Sequence, residues 1–281
     1  MNLKTFFLIF FLGFACMRLS AQQFTIGTFN LRYANTVDTG NLWPQRLPVV
    51  ANLIRFHQFD IFGTQEVLIN QLKDLKTALP QYEYYGKGRD DGKQAGEHSS
   101  IFFLKDKFNL IDSGDFWLSA HPEVPGKGWD ATCCNRICSW VYLQEKGTGK
   151  KFYFFNTHFD HRGRIARVES GKLILKKIRE IAGNEPVMLT GDLNGGQSSE
   201  WYGVLANSGL LTDAYSQVEH PYLNNSSFNN FGKNVSGFEI IDHIFLSKHF
   251  VAKRWGVLTD TYHGKYPSDH SPVLADVILM Q

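Results

Sequence analysis

Cysteine and proline are scarce in this chain, 4 and 9 of 281 residues, which excludes a disulfide-stapled miniprotein and a collagen-like or polyproline architecture. An excess of either charge is also missing: 29 Lys and Arg face 27 Asp and Glu, and Lys4 and Arg18 lie in an N-terminal leader, so 27 basic residues remain against 27 acidic ones. A chain that binds polyanions along its whole surface carries a basic surplus. Global charge therefore disfavours a nucleic acid partner, although a local basic cleft is compatible with neutrality. Repeats, low-complexity tracts and charged tails are absent too, and after residue 21 no apolar run is long enough to span a bilayer.

What is present is the bulk of a folded enzyme-sized domain. Hydrophobic residues make up 43%, with 23 Phe, 11 Tyr and 6 Trp to build a core. Residues 1–21 read as an export signal: Lys4 opens it, an apolar run follows from Phe6 to Cys16, and Leu19-Ser20-Ala21 precedes Gln22. Cleavage after Ala21 would leave 22–281 as a single domain, periplasmic or extracellular, with no transmembrane segment and expected to be a monomer. A minority reading makes Cys16 a lipid-attachment site after Gly13-Phe14-Ala15, where bulky Phe14 is unfavourable. Three cysteines remain, Cys133, Cys134 and Cys138. A disulfide from Cys133 or Cys134 to Cys138 and three partly buried thiols are both open readings, whereas zinc lacks a nearby fourth ligand.

Period-2 patterns predict strands over 24–30, 60–64, 99–104, 108–118, 137–145, 152–157, 187–190, 239–246, 251–258 and 273–278. Apolar residues at helical spacing predict helices over 44–56, 68–79 and 164–181. This order argues an α/β domain, a four-layer α/β sandwich of two packed mixed sheets flanked by helices.

Polar clusters close or interrupt the apolar strands: Asn30 after Thr28-Phe29, Gln65-Glu66, Asn156-Thr157-His158, Gly191-Asp192-Leu193-Asn194, Ile241-Asp242-His243-Ile244 and Ser268-Asp269-His270. Converging, they assemble carboxylates, carboxamides and imidazoles with no evident Ser or Cys nucleophile. Such donors suit a hard cation and a phosphorus centre, which needs an oriented water, donors for its non-bridging oxygens and charge for the leaving oxygen.

With Gly96-Glu97-His98 added, these motifs in this order resemble the endonuclease/exonuclease/phosphatase superfamily, from about Phe24 to about Ile278. The resemblance implies a metal-dependent hydrolase of phosphoric esters. Glu66 corresponds to the principal Mg²⁺ ligand, Asn30 and Asp269 to further ones, and Mn²⁺ or Ca²⁺ are alternatives to Mg²⁺. Asp192 and Asn194 correspond to the pair orienting the attacking water. Asp242 with His270 corresponds to a carboxylate–imidazole pair, and Glu97 with His158 to a second. Arg136 stands where relatives place a phosphate-binding Arg. Arg32 replaces an acidic residue of the apurinic endonucleases and reads equally as a phosphate contact or a surface ion pair.

Around this set, the Gly-rich stretch 84–93 with Arg89 reads as a solvated hairpin ahead of an anion contact. Trp43, Trp117 and Trp129 read as packing ahead of a stacking platform. The function expected is an exported Mg²⁺-dependent phosphoesterase acting on a phosphodiester or a phosphorylated small molecule. A secreted nuclease and a non-catalytic binding module are the alternatives.

Overall fold

The computed structural model describes residues 22–234 and 237–280. The leader, with Cys16, lies outside the described residues.

Two six-stranded sheets carry the chain. The first runs in the order β11 (Phe250–Val257), β12 (Val273–Leu279), β1 (Gln22–Asn30), β2 (Ile61–Gln65), β4 (Ile101–Leu104), β3 (Tyr82–Tyr85). The second runs β5 (Phe108–Trp117), β6 (Ile137–Glu145), β7 (Lys151–His158), β8 (Val187–Asp192), β10 (Asp242–Ser247), β9 (Leu211–Asp213). Both are mixed: β1 and β2 are parallel and joined through helix α1 (Trp43–Phe56), and β7 and β8 are parallel and joined through α3 (Arg164–Ala182). Parallel neighbours need such a crossover, whereas the other pairs are antiparallel. Helices α2 (Ile69–Ala78) and α4 (Glu200–Ala206) complete the four α-helices among the described residues. The sandwich expected from the sequence is the fold observed.

Strand alternation divides the core into three layers. On β1, Phe24 and Ile26 point between the sheets, where they meet Ile61, Phe152, Phe154, Met188, Ile244 and Leu246. Phe29 belongs instead to the layer under α1 and α2, with Val50, Ile54, Leu72 and Leu75. On the opposite side, Phe155, Leu189 and Phe245 pack with Ile174, Leu175 and Ile178 of α3.

Following the inward rows toward the other end of the strands, apolar residues give way to polar ones. Thr28, Gln65, Asn156 and Thr190 form a buried network: Gln65 Nε2 donates to Thr28 Oγ1 at 2.9 Å and to Asn156 Oδ1 at 2.7 Å, and Thr190 Oγ1 donates to Asn156 Oδ1 at 3.1 Å. Asn156 Nδ2 reaches across to the Thr64 and Ser100 carbonyls at 2.8 and 3.1 Å. This cross-sheet approach requires glycine at position 63, since a Cβ there would lie 2.2 Å from Asn156 Oδ1.

The expected strands and helices are present, with ends shifted by a residue or two; the largest shift is β10, which begins at Asp242 rather than 239. Unforeseen are β3, α4 and β9, segments of four, seven and three residues that are too short for periodicity to register. The cysteines depart from the expected pairing. Cys133 and Cys134 are bonded to each other, and Cys138 is a free buried thiol. Strand alternation turns Cys138 into the layer beneath α3, beside Phe116 and Phe155, while Cys133 and Cys134 lie in the preceding loop.

Candidate active site

One step beyond the polar network, the same inward rows end in ionisable groups. Strand register sets them side by side: His158 is paired with Asp192 across β7 and β8, and Asp192 with Asp242 across β8 and β10. Asn30 is the last residue of β1, paired with Gln65 at the end of β2. The strand ends open into a pocket of about 900 Å³.

His270 Nδ1 contacts Asp242 Oδ2 at 2.8 Å, and its Nε2 faces Asp192 Oδ2 at 3.8 Å. Asn30 Nδ2 donates to Asp192 Oδ2 at 3.0 Å and to Glu66 Oε1 at 3.2 Å. The Asn194 amide donates to Asp192 Oδ1 at 2.8 Å, and Asn194 Nδ2 lies 3.1 Å from His158 Nε2. Three of the site residues, Arg32, Glu66 and Asn194, adopt left-handed backbone with φ of 52°, 62° and 49°. Such conformations in non-glycine residues cost energy and gather at functional sites, where the surrounding structure enforces them.

Two buried side chains brace the loops that carry these groups. Arg46, fully buried, donates to the carbonyls of Leu31, Arg32, Asn41 and Pro267 at 2.7–3.0 Å. It thereby ties the loop after Asn30 to the segment before Ser268 and Asp269. Gln71, on α2, accepts from the Ala34 amide at 2.8 Å and donates to the Arg32 carbonyl at 3.1 Å.

Burial governs the electrostatics. It lifts Asp192 to about 7, reinforced by the Asp242 carboxylate and opposed by His270, the Asn194 amide and Asn30. Burial also pushes Glu97 and Asp269 above the ordinary carboxyl range, against the pull of Arg89 on the first and of His270 on the second. For His270 burial opposes the charge, but Asp242, Asp192 and Asp269 outweigh it and hold the imidazolium up to about 10. His158 behaves oppositely: burial and the nearby Arg136 and Arg89 guanidiniums keep its imidazole neutral.

The residues expected from the sequence converge, with differences in pairing. Glu97 and His158 are 4.0 Å apart and not hydrogen-bonded, because Arg89 takes Glu97 through both guanidinium arms at 2.5 and 2.9 Å. Arg32 binds Asp38 at 2.9 and 3.2 Å and stands 3.8 Å from both Glu66 and Asp269. Arg136 is buried, with one arm 3.0 Å from His161 Nδ1, and its Nε and Nη1 have no hydrogen-bond partner. His243 lies outside the pocket, between the Asp213 carboxylate and the Gly195 carbonyl. Arg89, which the sequence ranks as an anion contact behind a solvated hairpin, lines the pocket, and so do His161 and Phe231, which the sequence did not single out. The signal for Arg89 lay in the glycines around it: Gly88 N–H bonds the Lys93 carbonyl at 3.1 Å, folding the stretch back so that Arg89 points inward.

Residues 27–270 match the family described as Endonuclease/Exonuclease/phosphatase. The chain belongs to that family. Its members are metal-dependent hydrolases of phosphoric ester bonds, and so is this protein. Among solved structures, an endonuclease/exonuclease/phosphatase family protein from Bacteroides thetaiotaomicron is 48% identical, with a TM-score of 0.90 over 93% of this chain and 99% of that one. The Bacteroides thetaiotaomicron mannosyl-6-phosphatase is also 48% identical, with a TM-score of 0.89 over 91% of this chain and all of that one. Human nocturnin is 26% identical over 264 residues, 83% of this chain and 58% of the human protein.

The donor set fits a divalent cation. Asp192, Asp242 and His270 bring side-chain atoms within 4.8 Å of one another, and of these the two carboxylates, with Glu66 and Asp269, are the oxygen donors that hard cations prefer, whereas Asn30 turns its Nδ2 to Glu66 and Asp192 and its Oδ1 to the Arg32 amide. Carboxyl groups held above their ordinary range by burial and by each other form a place where added positive charge is favourable.

Proposed function

We propose that the protein is an exported, Mg²⁺-dependent phosphatase that hydrolyses the phosphoester of a phosphorylated sugar by in-line attack of water. The observation that carries this reading is Arg136, a buried guanidinium in the pocket that also holds Asp192 and His270, whose Nη1 has no partner and whose Nε lies 3.8 Å from the Asp160 carboxylate, beyond hydrogen-bond distance. Planar N–H donors of this kind match phosphoryl oxygens. The sugar is supported by the 48% identity, over 91% of this chain and all of that one, to an enzyme named for that activity.

Glu66 and Asp269 would hold the cation, with Asn30 steadying Glu66 through Nδ2 at 3.2 Å, leaving Asp242 and His270 to each other at 2.8 Å. A cation held by these residues would supply charge neutralisation at the phosphoryl oxygens. Asp192 and Asn194 orient the water, Asp192 being the carboxyl lifted to about 7 and therefore able to take a proton near neutrality. His270, charged through Asp242, stabilises negative charge beside Asp192. His158, kept neutral, shares a hydrogen bond with the Asn194 carboxamide and fixes its direction. Arg136, with Arg89 behind Glu97, binds the non-bridging oxygens.

The test is hydrolysis of mannose 6-phosphate beside bis-(p-nitrophenyl) phosphate by residues 22–281, with Mg²⁺ and then EDTA, using His270→Ala as the blank. Mg²⁺-dependent release of phosphate from the sugar is expected; cleavage of the diester alone would overturn the phosphatase. The second reading, a nuclease, draws on a relative named as the 3'-5'-exoribonuclease subunit of the CCR4-Not complex, 23% identical over 68% of this chain, and predicts cleavage of polynucleotide that weakens steeply with salt.

A further inference from the structure

Of the three tryptophans that the sequence offers as a stacking platform, Trp43 and Trp117 are buried, and Trp129 is 39% exposed. Trp129 stands on the long connection between β5 and β6, residues 118–136. Structureless connections of that length are uncommon in compact domains and are usually functional. This one is held by its own bonds. Trp117 N–H donates to the Pro122 carbonyl at 2.9 Å, Leu118 N–H to Arg136 at 2.8 Å and Ala131 N–H to Gly128 at 2.7 Å. Asp130 accepts from the first-turn amides of α3, Ile165 at 3.1 Å and Ala166 at 2.7 Å. Between these anchors Trp129 has a φ of 39°, a conformation that is a genuine outlier for a bulky residue.

The Trp129 side chain borders a groove of about 410 Å³ between this loop and α3, which Pro122, Glu123, Glu169 and Lys172 also line. The lysines along the groove face an equal number of carboxylates, Lys172 with Glu169 and both Lys176 and Lys177 with Glu180, and Glu123 on the opposite wall supplies the third negative charge, so the formal charges cancel and the groove is not built to attract an anion. A flat aromatic face beside neutralised carboxylates and ammoniums, which can exchange hydrogen bonds with hydroxyl groups, suits an uncharged polyhydroxylated ring. Four residues further on, Cys133 and Cys134 line the catalytic pocket. At 3.8 Å per residue, that places Trp129 within about 15 Å of the mouth.

We infer that Trp129 and this groove form an accessory sugar-binding site that holds the body of an oligosaccharide whose phosphorylated end occupies the catalytic pocket. The inference rests on the sugar-phosphatase reading for its substrate class and extends it from a free sugar phosphate to a phosphorylated chain. The groove then acts on KM for long substrates and leaves the chemical step untouched.

The experiment compares mannose 6-phosphate with mannotetraose phosphorylated at its terminal 6-position, using wild type, Trp129→Ala and Trp129→Phe. Trp129→Ala should raise KM for the tetrasaccharide about tenfold with kcat unchanged, the scale of one lost stacking contact. It should leave both constants for mannose 6-phosphate as they are, and Trp129→Phe should recover most of the loss. An equal loss on both substrates, or no loss on either, overturns the accessory site. If wild type hydrolyses neither, the sugar-phosphatase reading has failed, and calorimetric titration with unphosphorylated mannotetraose decides the groove alone. Heat seen in wild type and missing in Trp129→Ala supports the site; no heat in wild type overturns it.

Discussion

Replacing Asp242 with Asn keeps the shape of the side chain that holds His270 and removes its charge. In the wild type, His270 is held at about 10 against an ordinary 6.5. At 1.36 kcal/mol per unit of pKa, that difference contributes roughly 4 kcal/mol to native-state stability at pH 7. Because the folded-state value is the higher one, this stability is fully present below pH 6.5 and drains away as pH rises through 10. Asp192, lifted from 3.8 to about 7, is also raised, but its contribution is present below pH 4 and is lost by about pH 7. Above pH 8 the change therefore belongs to His270. In Asp242→Asn the principal force raising His270 is gone while burial remains, so the imidazole is neutral over that range. Urea unfolding at pH 8 and pH 10.5 should show wild type losing about 2–3 kcal/mol more than the variant. Parallel stability profiles for the two proteins would refute the charged pair. Turnover should fall about 10²- to 10⁴-fold, as when a proton-transfer group loses its orienting partner.

Three further outcomes follow from the geometry. Arg136→Lys removes the planar fork and should lower kcat/KM about 10- to 100-fold through KM, with the thermal midpoint little changed; an unaltered KM would remove Arg136 from substrate binding. Asn156→Ala leaves the Thr64 carbonyl and its neighbours in the cross-sheet network short of partners, costing about 2–4 kcal/mol. Scanning calorimetry should find the midpoint roughly 5–10 °C lower, and a drop under 2 °C would contradict the role given to that network. In native protein comprising residues 22–281, thiol reagent should label none of Cys133, Cys134 and Cys138 before reduction. After mild reduction it should label Cys133 and Cys134 but not Cys138, whose thiol burial holds well above its usual range. Labelling of Cys138 in the folded state would disprove its burial.

Much of the site was legible because one periodicity writes both core and chemistry. Phe24, Ile26, Thr28 and Asn30 are successive inward positions of one strand, as are Phe152, Phe154, Asn156 and His158 of another, so the point where an apolar row turns polar marks the mouth. Pairings between side chains from separate loops were less legible. Glu97 was matched to His158 by motif, but the partner is decided by how residues 88–97 fold back, and that brings the larger, fully charged Arg89 within reach of the carboxylate. The cysteines stayed open between a bridge to Cys138 and three thiols for a related reason: residue spacing does not show that Ile137 begins a strand, which turns Cys138 into the layer beneath α3. The accessory groove was hidden because exposure, and not residue type, separates Trp129 from Trp43 and Trp117.

The pairing of β1 with β12 sets Gln22 opposite Leu279, at the end of the first sheet remote from the pocket. The nine residues of β1 separate Gln22 from Asn30 by about 26 Å at 3.3 Å per residue. Anything joined to either end of the folded chain, such as a lipid tether, a fusion partner or a bead, hangs from the side opposite the opening, so the molecule can be moored to a surface with its catalytic face turned outward. The same adjacency makes a circular permutant practicable: a short linker from Leu279 to Gln22 would close the ring, and new ends could be cut at the turn between β6 and β7, where residues 146–150 are mostly exposed.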